Sequence, residues 1–141
     1  SLKIEKEFFD SLKEKFSDSL VEFDFEIDGT RSLNQADLLI SDKSSIRFDF
    51  AFLYKRPVVT LDIPPASLDA YEATYLPKLW EEETANKIGI SLNLKEKDRI
   101  VEIVEKALQL NSTTIEKIGT ESISFIGQSS IQIANWLEKV Y

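Results

Sequence analysis

Histidine, cysteine and methionine are all absent from the 141 residues, and glycine and proline occur only four times each. Without cysteine there is no disulfide, thiol chemistry or cysteine-ligated metal. Without histidine the commonest general base and metal ligand is missing, which excludes Ser-His-Asp catalysis and most zinc sites within the chain. Without methionine there is no start residue, so the expectation is an excised piece of a longer chain or a processed product. No run of about 18 apolar residues marks a membrane span. No charged stretch followed by an apolar one marks a signal peptide. Basic residues are few, 17 against 25 acidic, for a net charge of -8. That balance argues against nonspecific nucleic-acid binding, which needs a basic face. A small anion remains admissible, because a local site can oppose the global sign.

What is present suits one globular domain. Hydrophobic residues make up 43% of the chain, an ordinary globular fraction. A chain of this length buries about two-thirds of its unfolded surface and needs no covalent or metal staple.

Ile4, Phe8, Leu12 and Phe16 recur at i+4, with Phe9 beside them, and predict an amphipathic helix packed on a sheet. Val21, Phe23, Phe25 and Ile27 alternate with acidic residues, the period of a half-buried strand. Asp28-Gly29-Thr30 reads as a turn, and Ser32 as the cap of a short helix through Ala36. Leu38-Leu39-Ile40 is a short apolar run that suits a central parallel strand. Residues 46–53 read as a nearly buried helix that begins near Ser44 or Ser45 and is ended by Lys55-Arg56-Pro57. Val58-Val59-Thr60-Leu61 is a second buried strand, closed by Asp62 and Pro64-Pro65.

A polar helix is expected from Ser67 and Asp69 to about Asn86, with a break at Pro77. Ile88-Gly89-Ile90-Ser91 reads as a short strand and Asp98 to Leu110 as an amphipathic helix. The end of the chain reads as a loop around Gly119 and Gly127, then a helix capped by Ser129 or Ser130 and carrying Ile133, Ala134, Leu137 and Val140. Helices alternating with short apolar strands predict an α/β sandwich with a mostly parallel sheet. The chain opens on a helix, so the expected fold lacks its first strand.

Ligands of open α/β sheets gather beyond the carboxyl ends of the strands. The richest such place is Ser41 to Ser45. Small hydroxyl residues between a buried strand and a buried helix make an anion site, because the first helical N–H groups are unpaired and the macrodipole favours negative charge. Ser44 and Ser45 add hydroxyls, and Lys43 and Arg47 add positive charge. Ser44 as a plain N-cap fits the same pattern. Asp49 lies among Phe48 and Phe50, one helical turn after Ser45, where it either faces solvent or accepts bonds from a ribose next to the phosphate. Asp42 either caps the turn or accepts a phosphoryl group, as in receiver domains. Those domains need acids after their first strand, which this chain lacks. Glu81-Glu82-Glu83 reads as a solvated helix face, Trp80 and Trp136 as packing anchors, and Tyr71 with Tyr75 as core residues one turn apart.

Residues 37–62 (D-L-L-I-S-D-K-S-S-I-R-F-D-F-A-F-L-Y-K-R-P-V-V-T-L-D) resemble the signature of the CDP-glycerol glycerophosphotransferase family. The matching positions are Asp37, Ser41, Asp42, Ser44, Ser45, Asp49, Arg56 and Pro57. The tail I-S-F-I-G-Q-S-S-I-Q-I-A-N-W-L is similar to the closing helix of that family. The resemblance implies the carboxy-terminal, Rossmann-like half of a two-domain glycosyltransferase-type fold.

It further implies a CDP-activated donor as substrate, with no other cofactor and no metal. Ser44, Ser45 and Asp42 would hold the diphosphate and Asp49 the ribose, with Lys43 and Arg47 contributing charge. The implied partners are the missing amino-terminal domain and a cell-surface polymer acceptor of the teichoic-acid or capsule type, with no nucleic acid. The implied location is the cytoplasm, at the inner face of the membrane in the full-length protein. Lys43 replaces the family's aromatic residue, and the family's His-Pro element would fall before residue 1, so the fragment alone is expected to bind weakly and not turn over. UDP-N-acetylglucosamine 2-epimerases carry a related block, with Ser-Gly-Gly and a Glu at the position of Asp49, and form the alternative family. A non-catalytic interaction domain on the same sheet is the alternative of a different class.

Overall fold

A computed structural model of the chain describes residues 2–63, 80–125 and 127–140. They fall into two compact units, residues 1–34 and 35–141. The helix expected from Ser67, the break at Pro77, Pro64-Pro65, Tyr71 and Tyr75 lie outside the described residues.

The first unit holds α1 (Leu2–Lys15) and the start of α2 (Thr30–Gln35). The stretch between them contains no strand, although its alternation predicts one. Val21, Phe25 and Ile27 are exposed. Local bonds stand in place of a ladder. The Asp24 carboxylate accepts the Glu26 N–H at 2.9 Å and also the Ser32 hydroxyl. Alternation reports which way side chains point, but a strand also needs a neighbour's edge for its backbone groups. Here the rings find each other instead. Phe23 and Phe25 stack at 6.3 Å, Phe9 meets Phe25 edge-on at 6.0 Å, and Lys13 lies 4.1 Å over the Phe25 ring. Asp28, rather than Ser32, caps α2, accepting the Thr30 N–H at 3.0 Å.

The second unit is an α/β sandwich. β1 (Leu39–Ser41), β2 (Val58–Asp62) and β3 (Gly89–Asn93) form a parallel sheet in the order β1-β2-β3. Leu39 pairs with Val58, and Val58 with Gly89. Among the described strands β2 is central, not β1. Its sequence explains this, since Val58, Val59 and Thr60 are buried in succession, as a strand covered on both faces requires. α3 (Ile46–Tyr54) connects β1 to β2, and α4 (Trp80–Ile88) runs directly into β3. A 3₁₀ helix (Leu94–Arg99), α5 (Ile100–Leu108), α6 (Ser112–Ser122) and α7 (Ser129–Val140) follow.

Successive β residues point to opposite faces, and the two faces have different covers. Val59 and Leu92 pack with Ile103 and Ala107 of α5, with Leu61 and Ile90 at the margin. Val58 and Thr60 point the other way, where α3 and α4 cover the sheet and α6 lies across both helices. Phe50, Ala51, Ala85, Ile88 and Ile115 are buried on that side. The result is three layers.

Lys55 ends α3 in the left-handed region, at φ 56°, and the next residues, Arg56 and Pro57, cannot extend it. Gly119, expected in a loop, lies inside α6. A methyl group there would come within 2.9 Å of the Phe52 ring, so the missing side chain lets α6 approach α3. α7 has no buried residue, and Trp136 is exposed rather than a packing anchor. Among the described residues no helix is long and apolar enough to cross a membrane.

Candidate functional site

Because the three strands are parallel, Ser41, Asp62 and Asn93 all end at one edge of the sheet. The loop from β1 to α3 rises from this edge and carries four of the candidate residues. The Asp42 carboxylate accepts the Ser44 N–H at 2.8 Å, so Asp42 shapes the turn. Ser45 occupies the cap position with helical angles (φ -63°, ψ -22°) and makes no side-chain cap bond. The opening turn is closed by the Arg47 N–H on the Ser44 carbonyl at 3.4 Å and the Phe48 N–H on the Ser45 carbonyl at 2.9 Å. Ser44 and Ser45 are exposed. Unlike Asn111, whose side chain accepts the Thr113 N–H at 2.8 Å, Ser45 leaves its hydroxyl unspent.

Asp49 is exposed, although Phe48 and Phe50 on either side of it are buried. That places its carboxylate on the outer stripe of α3, within one turn of Ser45. Lys43 does not point at the serines. Its ammonium is paired with Asp62 at 3.0 Å, bridging the ends of the β1 loop and β2.

Arg47 lies deeper than the other candidates. The sequence offers it as a contributor of positive charge beside the serines, and it is 3% exposed. Among the described residues its Nε has no hydrogen-bond partner, and neither does the Oγ1 of Thr60, which is also buried. Burial pushes the guanidinium's pKa down, and the carboxylates of Glu81, Asp42 and Glu82 push it back up. Among the described residues no ion pair joins Arg47 to any of the three. Its guanidinium also lies 4.7 Å from the centre of the Phe48 ring, and that ring packs against Trp80 at 4.9 Å.

Arg47 and Thr60 line a cavity of about 250 Å³ between α3, α4, β2 and β3. Lys43 and Asp62 stand on its wall, and Glu82 and Asn86 come from α4. Ser91 donates its hydroxyl to the Asn86 Oδ1 at 2.9 Å, and the Asn86 amide donates to the Glu82 carbonyl at 3.2 Å. Sequence reading singled out neither Thr60, Asn86 nor Ser91. The available signal was position, since Thr60 and Ser91 point to the same face near the carboxyl ends of their strands. Glu81, Glu82 and Glu83 are exposed, as a solvated face.

The structure thus gathers two groups. Asp42, Ser44, Ser45 and Asp49 share the outer start of α3. Lys43 and Arg47 belong to the inner cavity with Thr60 and Asp62. Among the described residues no cluster of three or more acidic side chains is placed to hold a metal ion. No family model, curated protein or solved structure matches the chain.

Proposed function

We propose that the chain is the donor-nucleotide-binding domain of a transferase that moves a glycerol phosphate, or a related polyol phosphate or sugar, from a CDP-activated donor to a cell-surface polymer. The observation that carries this reading is the unspent start of α3. Ser44 and Ser45 sit exposed at the carboxyl end of a parallel strand, and Ser45 makes no side-chain cap bond. The Ser44, Arg47 and Phe48 amides are already engaged, by the Asp42 carboxylate and the Ser44 and Ser45 carbonyls, so the support comes from the helix dipole and the exposed hydroxyls, which favour a diphosphate at such a terminus. Asp49 is exposed one turn along, where a ribose attached to that diphosphate would meet it. Residues 37–62 support the choice of a cytidine donor through their resemblance to the glycerophosphotransferase signature. The leaving diphosphate would be stabilised by fixed donors, an electrostatic contribution to catalysis. Acceptor site and closure over the donor belong to the rest of the protein in this reading.

The test is an amide NMR titration with CMP, CDP, CDP-glycerol, UDP and UDP-N-acetylglucosamine. Cytidine ligands should shift residues 41–49, and Ser44→Ala and Ser45→Ala should each weaken CDP about tenfold, the worth of one charge-assisted bond. A preference for uridine ligands moves the assignment to the epimerase-like family. Binding unchanged by Ser44→Ala, Ser45→Ala and Asp49→Ala sinks the site.

A second reading has its own observation. Ile131, Ile133, Trp136, Leu137 and Val140 are all exposed on α7, which supports an interaction domain. Sedimentation separates the two readings. Self-association abolished by Trp136→Glu, together with no nucleotide binding, favours the interaction domain.

A further inference from the structure

The stretch between α1 and α2 is built like a strand that lacks its neighbour. No turn or bend interrupts residues 21–26. The rings of Phe23 and Phe25 stack at 6.3 Å with their planes 9° apart, close to the roughly 6.4–6.8 Å between side chains two residues apart on one face of a strand. Phe9 of α1 meets Phe25 edge-on at 6.0 Å, and Lys13 lies 4.1 Å over that ring. The ring face is thus fastened to α1, while Val21 and Phe25 remain exposed.

The backbone here is largely unspent. Among the described residues no N–H or carbonyl of residues 21–27 bonds to another backbone group. The Val21 N–H goes to the Ser19 hydroxyl at 3.2 Å and the Glu26 N–H to the Asp24 carboxylate at 2.9 Å. Alternate residues of an extended chain turn these groups to the same edge. On the edge shared by Phe23 and Phe25, both N–H groups are free among the described residues.

Charge decides what suits that edge. Glu22, Asp24 and Glu26 alternate with the rings and are all exposed. The Asp24 carboxylate is engaged by Ser32 and the Glu26 N–H, whereas Glu22 and Glu26 have no ion-pair partner among the described residues. A second copy is a poor neighbour. V-E-F-D-F-E-I reads almost the same in both directions, so antiparallel self-pairing about Asp24 sets Glu22 across from Glu26 and Asp24 across from Asp24. Like charges directly opposite are destabilising. A strand with Lys or Arg at every second position reverses the sign of each such pair and lays its apolar residues beside Val21, Phe23 and Phe25. The net charge of -8 draws such a segment in.

We propose that residues 21–26 bind, by strand addition, an extended segment of a partner protein in which basic and apolar residues alternate. The proposal does not rest on the nucleotide reading.

The experiment titrates the 141-residue chain with the peptide K-V-K-V-K-V-K and follows the backbone amides by NMR. Saturable shifts should centre on residues 21–26. K-K-K-K-V-V-V, with the same composition, and E-V-E-V-E-V-E should bind far more weakly. Of two forms of the first peptide, N-methylated at the valines or at the lysines, at least one should lose binding, because the methyl groups block one edge of the ladder. Glu22→Lys combined with Glu26→Lys changes only exposed side chains and should weaken K-V-K-V-K-V-K about tenfold, from the worth of the cross-strand charge pairs it reverses. The proposal is overturned if no peptide saturates, if the grouped or acidic peptide binds equally well, if both methylated forms bind as the parent peptide does, or if the double variant binds unchanged. Shifts at 21–26 that appear on concentrating the chain alone also overturn it, and assign the edge to a second copy.

Discussion

Gly89 is where the register of the sheet can be tested most sharply. It opens β3 opposite Val58, and a methyl group built there would lie 2.6 Å from the Val58 carbonyl carbon and 3.0 Å from its nitrogen, and closer still to its oxygen. Ordinary carbon contacts are about 3.5–4.0 Å, so Gly89→Ala must move β2 and β3 apart by on the order of 1 Å. Paired strands lie about 4.8 Å apart and their hydrogen bonds do not survive such a shift. The obstacle is backbone, so no side-chain rotation relieves it. Overpacking typically costs about 1–3 kcal/mol, and this case belongs at the upper end because Val58 and Ile88 are fully buried beside it. At about 3 °C per kcal/mol for a chain of this size, the midpoint of thermal unfolding should fall by roughly 9 °C. Urea unfolding at 25 °C should show the same loss without a change in slope. A Gly89→Ala protein within about 0.5 kcal/mol of the parent, the range of an inconsequential surface change, would refute the β2–β3 register.

Three further outcomes follow from other parts of the structure. Phe50 is fully buried in the layer between α3 and the sheet, so Phe50→Ala should cost about 3–5 kcal/mol by calorimetry, and a loss below about 1 kcal/mol would contradict its burial. Asn111 makes a side-chain cap and Ser45 does not. In urea Asn111→Ala should therefore lose about 1 kcal/mol and Ser45→Ala less than half of that, and the reverse order would contradict the unspent cap. The Glu102 carboxyl is lowered from 4.5 to about 2, first by the hydrogen bond from Arg99 and then by that from Lys106. Its stabilising contribution is complete above about pH 4.5 and disappears as pH falls through about 2. A carboxyl-carbon NMR titration should find that low midpoint, drifting upward in 1 M salt because the cluster is exposed, and a midpoint near 4.5 would show that the Arg99 bond does not persist in solution.

Legibility divided along the line between local and distant bonds. β2 and α3 could be read closely because their apolar runs and the breakers after them are contiguous in sequence. β3 was placed one residue early, since Ile88 closes α4 and the helix passes into the strand with no turn residue between. The false strand over Val21 to Ile27 had the right period but no partner, and no property of those seven residues reveals a partner's absence. Gly119 was misread for the same reason. Glycine marks a break by propensity, whereas here its missing side chain admits Phe52 from another helix. At the site, the position of the serines after β1 was legible from local order. The burial of Arg47 was not, because its cover comes from α4 and the sheet. Thr60 was hidden in an apolar strand where its hydroxyl looked incidental.

The two tryptophans give the chain a pair of optical reporters with different views. Trp80 rests against Phe48 at 4.9 Å and begins the helix whose Glu82 and Asn86 wall the cavity, while Trp136 is 61% exposed on α7. Trp80 is itself 47% exposed, so a quencher such as iodide reaches both indoles, and substitution rather than quenching separates the one beside Phe48. Trp136→Phe isolates that signal entirely. Changes near the start of α4 and changes at the surface of α7 can then be followed separately, with no label attached.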